Sequence, residues 1–142
     1  LNEYASLYIG AALNPRAREF SEQAAQLLEG ELRKSSNQGE MPGINYYQHE
    51  HEIRSQLISS GTGQLISMVT VIESYPNSAL IIEEPEINLH ANKQSHVAEY
   101  LWNLQRKTFV TTHSDYFLMK LAHIYSRQTE QSRRDLRVYL LN

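Results

Sequence analysis

The sequence predicts an α/β fold with parallel strands and flanking helices, and two observations support that prediction. First, residues 79–82 form an unbroken apolar run that is too short for a helix and is closed by two glutamates, which is typical of a buried parallel strand ending at a sheet edge. Second, the chain continues with a helical pattern over residues 91–106, a strand near residues 107–112 and a helix starting at Ser114 or Asp115. This alternation of strands and helices is typical of parallel sheets.

The region before this unit has the pattern of two helices and a small antiparallel meander. Apolar residues at helical spacing predict one helix before the Asn14–Pro15 pair and a second helix from that pair to Gly30. Short stretches at residues 31–33, 44–48 and 52–57, separated by turn-forming residues, predict the meander.

Two further elements complete the prediction. A helix is expected to follow Gly61 and Gly63 and to end before Tyr75, and the alternation over residues 136–141 predicts another strand. Because no internal repeat or linker is present, residues 1–142 are expected to form one domain, with a helical and meander region at 1–57 and a motif-bearing region at 58–142.

Composition excludes several classes of protein. The chain has 142 residues, 41% hydrophobic and 20% charged, which is enough for a packed core and argues against wholesale disorder. Its net charge of −3 gives no bulk attraction to nucleic acid, and no apolar run approaches the ~20 residues of a membrane span. With no cysteine, a disulfide framework is excluded and a cytoplasmic protein is expected. The start at Leu1, without methionine, indicates a piece of a longer protein.

Adjacent carboxylates at the end of the predicted strand, Glu83 and Glu84, are the strongest chemical signal. Ligands of parallel sheets bind beyond the carboxyl ends of the strands, so one acid can organise Mg²⁺ through water and the next can orient an attacking water. A solvated acidic turn after a strand gives the same pattern, and the pair alone leaves both interpretations open.

Two more segments lie where such a site would need them. Residues 58–64 form a Ser/Gly-rich turn entering a helix, which suits phosphate oxygens and equally suits an ordinary helix cap. His113 directly follows the neighbouring strand, where a histidine is either catalytic or structural.

Together, in this order, the three segments resemble the C-terminal half of an ABC-type ATPase domain of the overcoming-lysogenisation-defect (OLD) class. Residues 59–62 match the signature turn of that family, residues 83–86 with Leu89 and His90 match its Walker B and D-loop string, and residues 112–115 match its switch. Glu83 stands where most ABC proteins have aspartate, and His90 stands where many have a D-loop aspartate; both departures are familiar in the OLD-like branch.

The resemblance implies a role for each matched residue. Glu83 would bind Mg²⁺, Glu84 would be the catalytic base and His113 would sense the γ-phosphate of ATP. The residues that would contact ATP held by a second subunit, or lie in the D-loop between subunits, are Ser59, Ser60, Gly61, Thr62, Asn88 and His90. The implied cofactors are ATP and Mg²⁺, and the implied partner is a second copy in a head-to-tail homodimer.

The chain has no Walker A motif. Its four lysines are Lys34, Lys93, Lys107 and Lys120, and none follows a glycine as a phosphate-binding lysine does. The resemblance therefore implies that an N-terminal Walker A region of the same protein is missing, and that this chain alone is inactive. Two alternatives stay open: a non-catalytic interaction module, and the regulatory ATPase part of a DNA-directed nuclease, with DNA as a further partner.

A pair of histidines gives a weaker signal. His49 and His51 would share one face of a strand as a metal pair, but no third ligand is evident, and a solvated strand is the favoured interpretation.

Overall fold

The computed structural model describes residues 21–35, 43–129 and 135–140. In chain order these residues form α1 (Glu22–Leu28), β1 (Glu31–Ser35), β2 (Gly43–Gln48), β3 (His51–Ile53), a 3₁₀ helix (Ser55–Leu57), α2 (Ser60–Ser74), β4 (Leu80–Glu83), α3 (Ala91–Asn103), β5 (Thr108–Thr111) and α4 (Asp115–Ser126). The predicted first helix and the Asn14–Pro15 pair lie outside the described residues.

Helix α1 begins later than the sequence predicts. Ser21 has extended backbone (φ −62°, ψ 153°) and accepts a hydrogen bond from the Ala24 N–H, so it caps a new helix, and one continuous helix from Pro15 to Gly30 is wrong. The helix ends at Glu29, which adopts the left-handed conformation at φ 54°. The next residue is Gly30, and only glycine fits this position because a Cβ there would lie 2.4 Å from the Tyr47 carbonyl oxygen.

The predicted meander is confirmed, with a shorter third strand. Strands β1, β2 and β3 pair antiparallel in that order. The third strand ends at Ile53, and residues 55–57 turn into the 3₁₀ helix instead of extending it. The Tyr46 hydroxyl donates to the Leu28 carbonyl at 2.7 Å and so joins the meander to α1.

Helix α2 contains the glycines that were expected to precede it. It begins at Ser60 and ends at Ser74, so Gly61 and Gly63 lie in its first turn. The end before Tyr75 is as predicted. Ser59 accepts a hydrogen bond from the Thr62 N–H and caps the helix, which removes the need for glycine to start it.

Strands β4 and β5 are parallel, as predicted, and their carboxyl ends meet at Glu83 and Thr111. The core lies against one face of this sheet, where the largest fully buried side chains are Phe117, Leu65, Ile72, Val69, Val97 and Pro85. The opposite face is open: Ile81, which pairs with Phe109, is 82% exposed, so the expectation of a fully buried strand is wrong.

The strand predicted at residues 136–141 is absent from residues 136–140, the part of it that the structure describes. Residues 135–140 have no regular secondary structure and Val138, Tyr139 and Leu140 are exposed; residue 141 lies outside the described part. An alternating pattern forms a strand only when a partner strand supplies the hydrogen bonds. Among the described residues, the helices are all too short or too polar to cross a membrane.

Candidate functional site

The carboxyl ends of β4 and β5 bring Glu84 and His113 together. The His113 Nε2 atom lies 3.4 Å from the Glu84 Oε1 atom, an ion pair when the imidazole is protonated. The His113 side chain is 87% exposed and that of Glu84 is 38% exposed, so both groups face open solvent beyond the sheet. This is the edge at which ligands of parallel sheets bind.

Glu84 starts a tight turn. Its φ of 42° is left-handed, and its N–H donates to the Thr111 carbonyl oxygen at 3.0 Å. A non-glycine residue is uncommon in this conformation, and such strained positions cluster at functional sites. The parallel pairing with β5 therefore fixes the backbone at the point where the carboxylate leaves the sheet.

The turn continues over residues 84–89 and exposes the predicted D-loop. Asn88 is again left-handed, at φ 59°, and the Leu89 N–H donates to the Glu86 carbonyl at 3.1 Å. Asn88 and His90 have exposed side chains. His90 occupies the N-cap position of α3 without a side-chain capping bond.

The predicted signature turn packs against this D-loop. Ser59 and Ser60 are exposed at the start of α2, while Gly61 is buried, and a Cβ on it would lie 2.5 Å from the Asn88 carbonyl oxygen. The Ser59 hydroxyl donates to the Thr62 hydroxyl at 3.0 Å. Ser59 therefore has the geometry of an ordinary helix cap. Binding of phosphate oxygens by this turn stays a prediction.

These contacts divide the predicted residues into two groups. One group joins Glu84 to His113, and the other joins Gly61 to Asn88. In the part of the chain that the structure describes, no hydrogen bond or ion pair joins the side chains of Ser59 or Ser60 to those of Glu83, Glu84 or His113.

Sequence reasoning missed the role of Glu86. This residue is only 7% exposed, and its Oε1 atom accepts hydrogen bonds from the Thr112 hydroxyl at 2.6 Å and the His113 N–H at 2.8 Å. The sequence shows it as the third acid of an exposed-looking Glu-Glu-Pro-Glu string, and the only signal of burial is the apolar Pro85 beside it.

The donor set fits Mg²⁺ only as an ion shared with a nucleotide. Among the described residues, no group of three or more His, Asp or Glu side chains could hold a metal. Mg²⁺ is commonly bound by one or two carboxylates together with waters and phosphates, and the exposed carboxylate of Glu83 at the strand end could supply one such ligand.

The histidine pair does not share a strand. His49 lies in the turn between β2 and β3 with φ 49°, whereas His51 is the first residue of β3. The prediction that both lie on one strand face is therefore wrong, and the turn supplies the reason.

The sequence matches one family model, described as "AAA domain, putative AbiEii toxin, Type IV TA system", over residues 7–119. The chain belongs to this AAA domain family. Its members are P-loop ATPase-like, which confirms the predicted ABC/AAA type of domain. No curated protein matches the chain significantly.

Solved structures with the same fold include heads of SMC proteins. An Smc head bound to the C-winged helix domain of ScpA superposes with a TM-score of 0.61 at 17% identity, over 82% of this chain and 38% of that one. An SMC ATPase studied for ATP-driven dimerization and DNA-stimulated activation gives 0.61 at 17% identity, over 82% and 75%. An Smc head domain from Pyrococcus furiosus, bound to the C-terminal domain of ScpA, gives 0.56 at 19% identity, over 73% and 29%.

These likenesses show the fold alone: parallel strands with flanking helices, as in the heads of SMC proteins. The AAA domain described here spans 38% of the length of the Smc head chain, so the activity and partners of the whole protein are proposals.

Proposed function

We propose that this chain is part of an ABC-type ATPase of the OLD-like class that binds and hydrolyses ATP with Mg²⁺. The observation that carries the proposal is the pairing of Glu84 with His113, 3.4 Å apart, at the carboxyl ends of two parallel strands. Family membership supports the ATPase type of the domain. The Glu-Glu-Pro-Glu string followed by Leu-His supports the OLD-like class.

Each side chain at the sheet edge has one task in this reaction. Mg²⁺, when bound, would neutralise charge on the phosphates, and Glu83 would hold it through its carboxylate. Glu84 would accept a proton from the attacking water or orient that water, and His113 would contact the γ-phosphate. The 3.4 Å contact would let the histidine hold the glutamate in place while the water is positioned.

The signature and D-loop residues would act on ATP bound to a second subunit. The N–H groups at the start of α2, with the hydroxyls of Ser59, Ser60 and Thr62, suit phosphate oxygens because a helix N-terminus carries partial positive charge. Asn88, whose carbonyl lies beside Gly61, and His90 are both exposed, where a partner subunit could reach them. ATP-driven dimerization is named for an SMC ATPase of the same fold, which supports a head-to-tail homodimer here.

The Walker A lysine has to come from residues other than these 142, since none of the four lysines follows a glycine. We therefore expect no ATP turnover by the isolated chain. A complete sequence that also lacks the motif would favour a non-catalytic interaction module, whereas a downstream nuclease domain would favour a regulatory ATPase that acts with DNA.

Replacing Glu84 tests the proposal in the complete protein. The Glu84→Gln variant should lose about 100-fold or more in kcat, because an amide cannot take the proton of the attacking water. Its ATP-bound dimer should persist. Phosphate release measures turnover, and light scattering with retained radiolabelled ATP measures the trapped dimer.

The exposed Glu22 supplies the matched control, since Glu22→Gln makes the same chemical change on α1, which holds none of the proposed site residues, and should leave turnover unchanged. Unchanged turnover in Glu84→Gln would remove Glu84 from the proposed role. Robust Mg²⁺-dependent turnover by the purified 142-residue chain would overturn the requirement for an external Walker A lysine.

A further inference from the structure

A buried carboxylate lies under the proposed site without any role in it. Glu86 is 7% exposed, whereas Glu83, at the end of β4, and Glu84, at the start of the turn, are more exposed. Its Oε2 atom is buried with no hydrogen-bond partner among the described atoms. An unpaired buried carboxylate oxygen is costly, and an unsatisfied group of this kind calls for a functional explanation.

The other oxygen of Glu86 connects two segments that are far apart in the chain. Oε1 accepts from the Thr112 hydroxyl at 2.6 Å and from the His113 N–H at 2.8 Å. Glu86 follows β4 and its two donors follow β5. The carboxylate therefore ties the proposed D-loop turn to the backbone of the switch histidine.

The His113 ring has little else to fix it. The side chain is 87% exposed, and its ion-pair contact is with Glu84. The position of the ring therefore depends on its backbone, which Glu86 holds through the amide. A shift of about 1 Å in a catalytic group can lower a rate about 100-fold, so a backbone bond of this kind can control turnover.

A second set of contacts joins the same loop to α3. The Gln94 amide donates to the Leu89 carbonyl at 2.8 Å, and its carbonyl oxygen accepts from the Ser114 hydroxyl. The Ser114 N–H in turn donates to the Thr112 hydroxyl at 3.1 Å. Residues 112–114 are thus bonded both to the turn after β4 and to the first turns of α3.

We propose that Glu86 is a positioning residue, which fixes the backbone of His113 relative to Glu84 through its bonds to the Thr112 hydroxyl and the His113 amide. This inference rests on the proposed function, because it assigns the support of the switch histidine in the same reaction. Glu86 acts through His113 and does not touch the nucleotide.

The variants are chosen to separate positioning from general stability. Glu86→Met keeps a similar volume and removes both acceptor oxygens, whereas Glu86→Gln keeps an acceptor for the two donors. In the complete protein, Glu86→Met should lower kcat about 10- to 100-fold with KM for ATP nearly unchanged, and Glu86→Gln should recover most of kcat. A rise in KM alone, or equal losses in both variants, would overturn the proposal.

A double-variant cycle with His113→Ala tests whether Glu86 works through the histidine. If it does, Glu86→Met should have no further effect on kcat once the imidazole is gone. A further drop of the same size as in the wild-type background would overturn the proposal. If circular dichroism shows that Glu86→Met is unfolded, Thr112→Val carries the same cycle, because it removes the side-chain donor while keeping the shape of the side chain.

Hydrogen exchange at the His113 amide tests the positioning without any ATPase activity. The exchange should be about tenfold faster in Glu86→Met than in the wild type, while that of the Thr62 amide, which is bonded to Ser59, stays unchanged. Equal exchange at His113 would overturn the positioning role. If the complete protein hydrolyses no ATP, the proposed function fails, and this measurement still decides on Glu86.

Discussion

At the scale of single residues, Gly61 is the point where the proposed signature turn meets the proposed D-loop. A Cβ on this residue would lie 2.5 Å from the Asn88 carbonyl oxygen and 3.0 Å from the Leu89 side chain. The atom in the way belongs to the backbone, so a larger residue can be accommodated only by moving one of the two segments.

Alanine at position 61 separates this contact from helix propensity. Ala normally stabilises a helix by about 1 kcal/mol relative to Gly, but overpacking costs about 1–3 kcal/mol. Because the nearest atom is a backbone oxygen rather than the end of a flexible side chain, we expect Gly61→Ala to lower the free energy of unfolding by about 1 kcal/mol, measured by urea unfolding. Ser60→Ala, at the exposed residue before Gly61, should change the free energy of unfolding by less than about 0.5 kcal/mol. A variant at position 61 as stable as the wild type would contradict the close packing.

The sequence predicted some of these residues and not others, for a physical reason. Glu84 and His113 each follow a predicted strand, and parallel strands bring their carboxyl ends together, so their proximity follows from the order of the elements. The role of Glu86 depends on which way the turn after β4 folds, because that decides whether the carboxylate faces solvent or the Thr112 hydroxyl. Spacing along the chain carries no information on that direction.

At the scale of elements, Arg106 secures the end of α2. This residue lies between α3 and β5, and its guanidinium donates to the Tyr75 carbonyl at 2.6 Å and the Ile72 carbonyl at 3.0 Å. Carbonyls at a helix C-terminus lack partners within the helix and carry partial negative charge. One side chain therefore satisfies two of them and holds the helix that bears the signature turn.

Removing this guanidinium should weaken the fold without touching the proposed site. Arg106→Met keeps an apolar stem and loses both donors, so we expect the free energy of unfolding to fall by about 1–2 kcal/mol in urea. Lys107→Met next to it removes an exposed charge and should be neutral. Equal stability of the two variants would show that the carbonyl contacts contribute nothing.

Element boundaries were harder to predict than element order. The sequence β4, α3, β5, α4 was predicted from apolar periodicity, because a buried strand and an amphipathic helix each have a distinct period. The start of α1 was not predicted correctly. The apolar pattern continues through Ser21, but the Ser21 hydroxyl accepts a hydrogen bond from the Ala24 N–H and so starts the helix there. The strand predicted at residues 136–141 is wrong over residues 136–140, which the structure describes. A strand forms only beside a partner strand, and the local sequence pattern does not show whether one is present.

At the scale of the whole molecule, the sheet of β4 and β5 has an apolar face that the described residues leave exposed. Ile81 and Phe109 are register partners and are 82% and 59% exposed, whereas parallel sheets are normally covered on both sides. The apolar run predicted the strand β4. A run of this kind does not show which of the two faces of the sheet packs against the core. The chain spans 38% of the matching Smc head, so the assembly around this sheet has to be tested in the complete protein.

The assembly proposed here places the start of α2 against ATP on a second subunit, and Ser59 allows a direct test. Ser59→Arg in the complete protein should abolish ATP-dependent dimerization, because the long side chain fills the space at the exposed helix start where the phosphates would lie. Ser78→Arg makes the same change in the exposed loop before β4, beyond the other end of α2, and should dimerize normally. Light scattering with and without ATP measures the assembly. If Ser59→Arg dimerizes normally, the space beside Ser59 is not occupied by ATP of the partner subunit. That result would contradict the placement of the signature turn at residues 59–62.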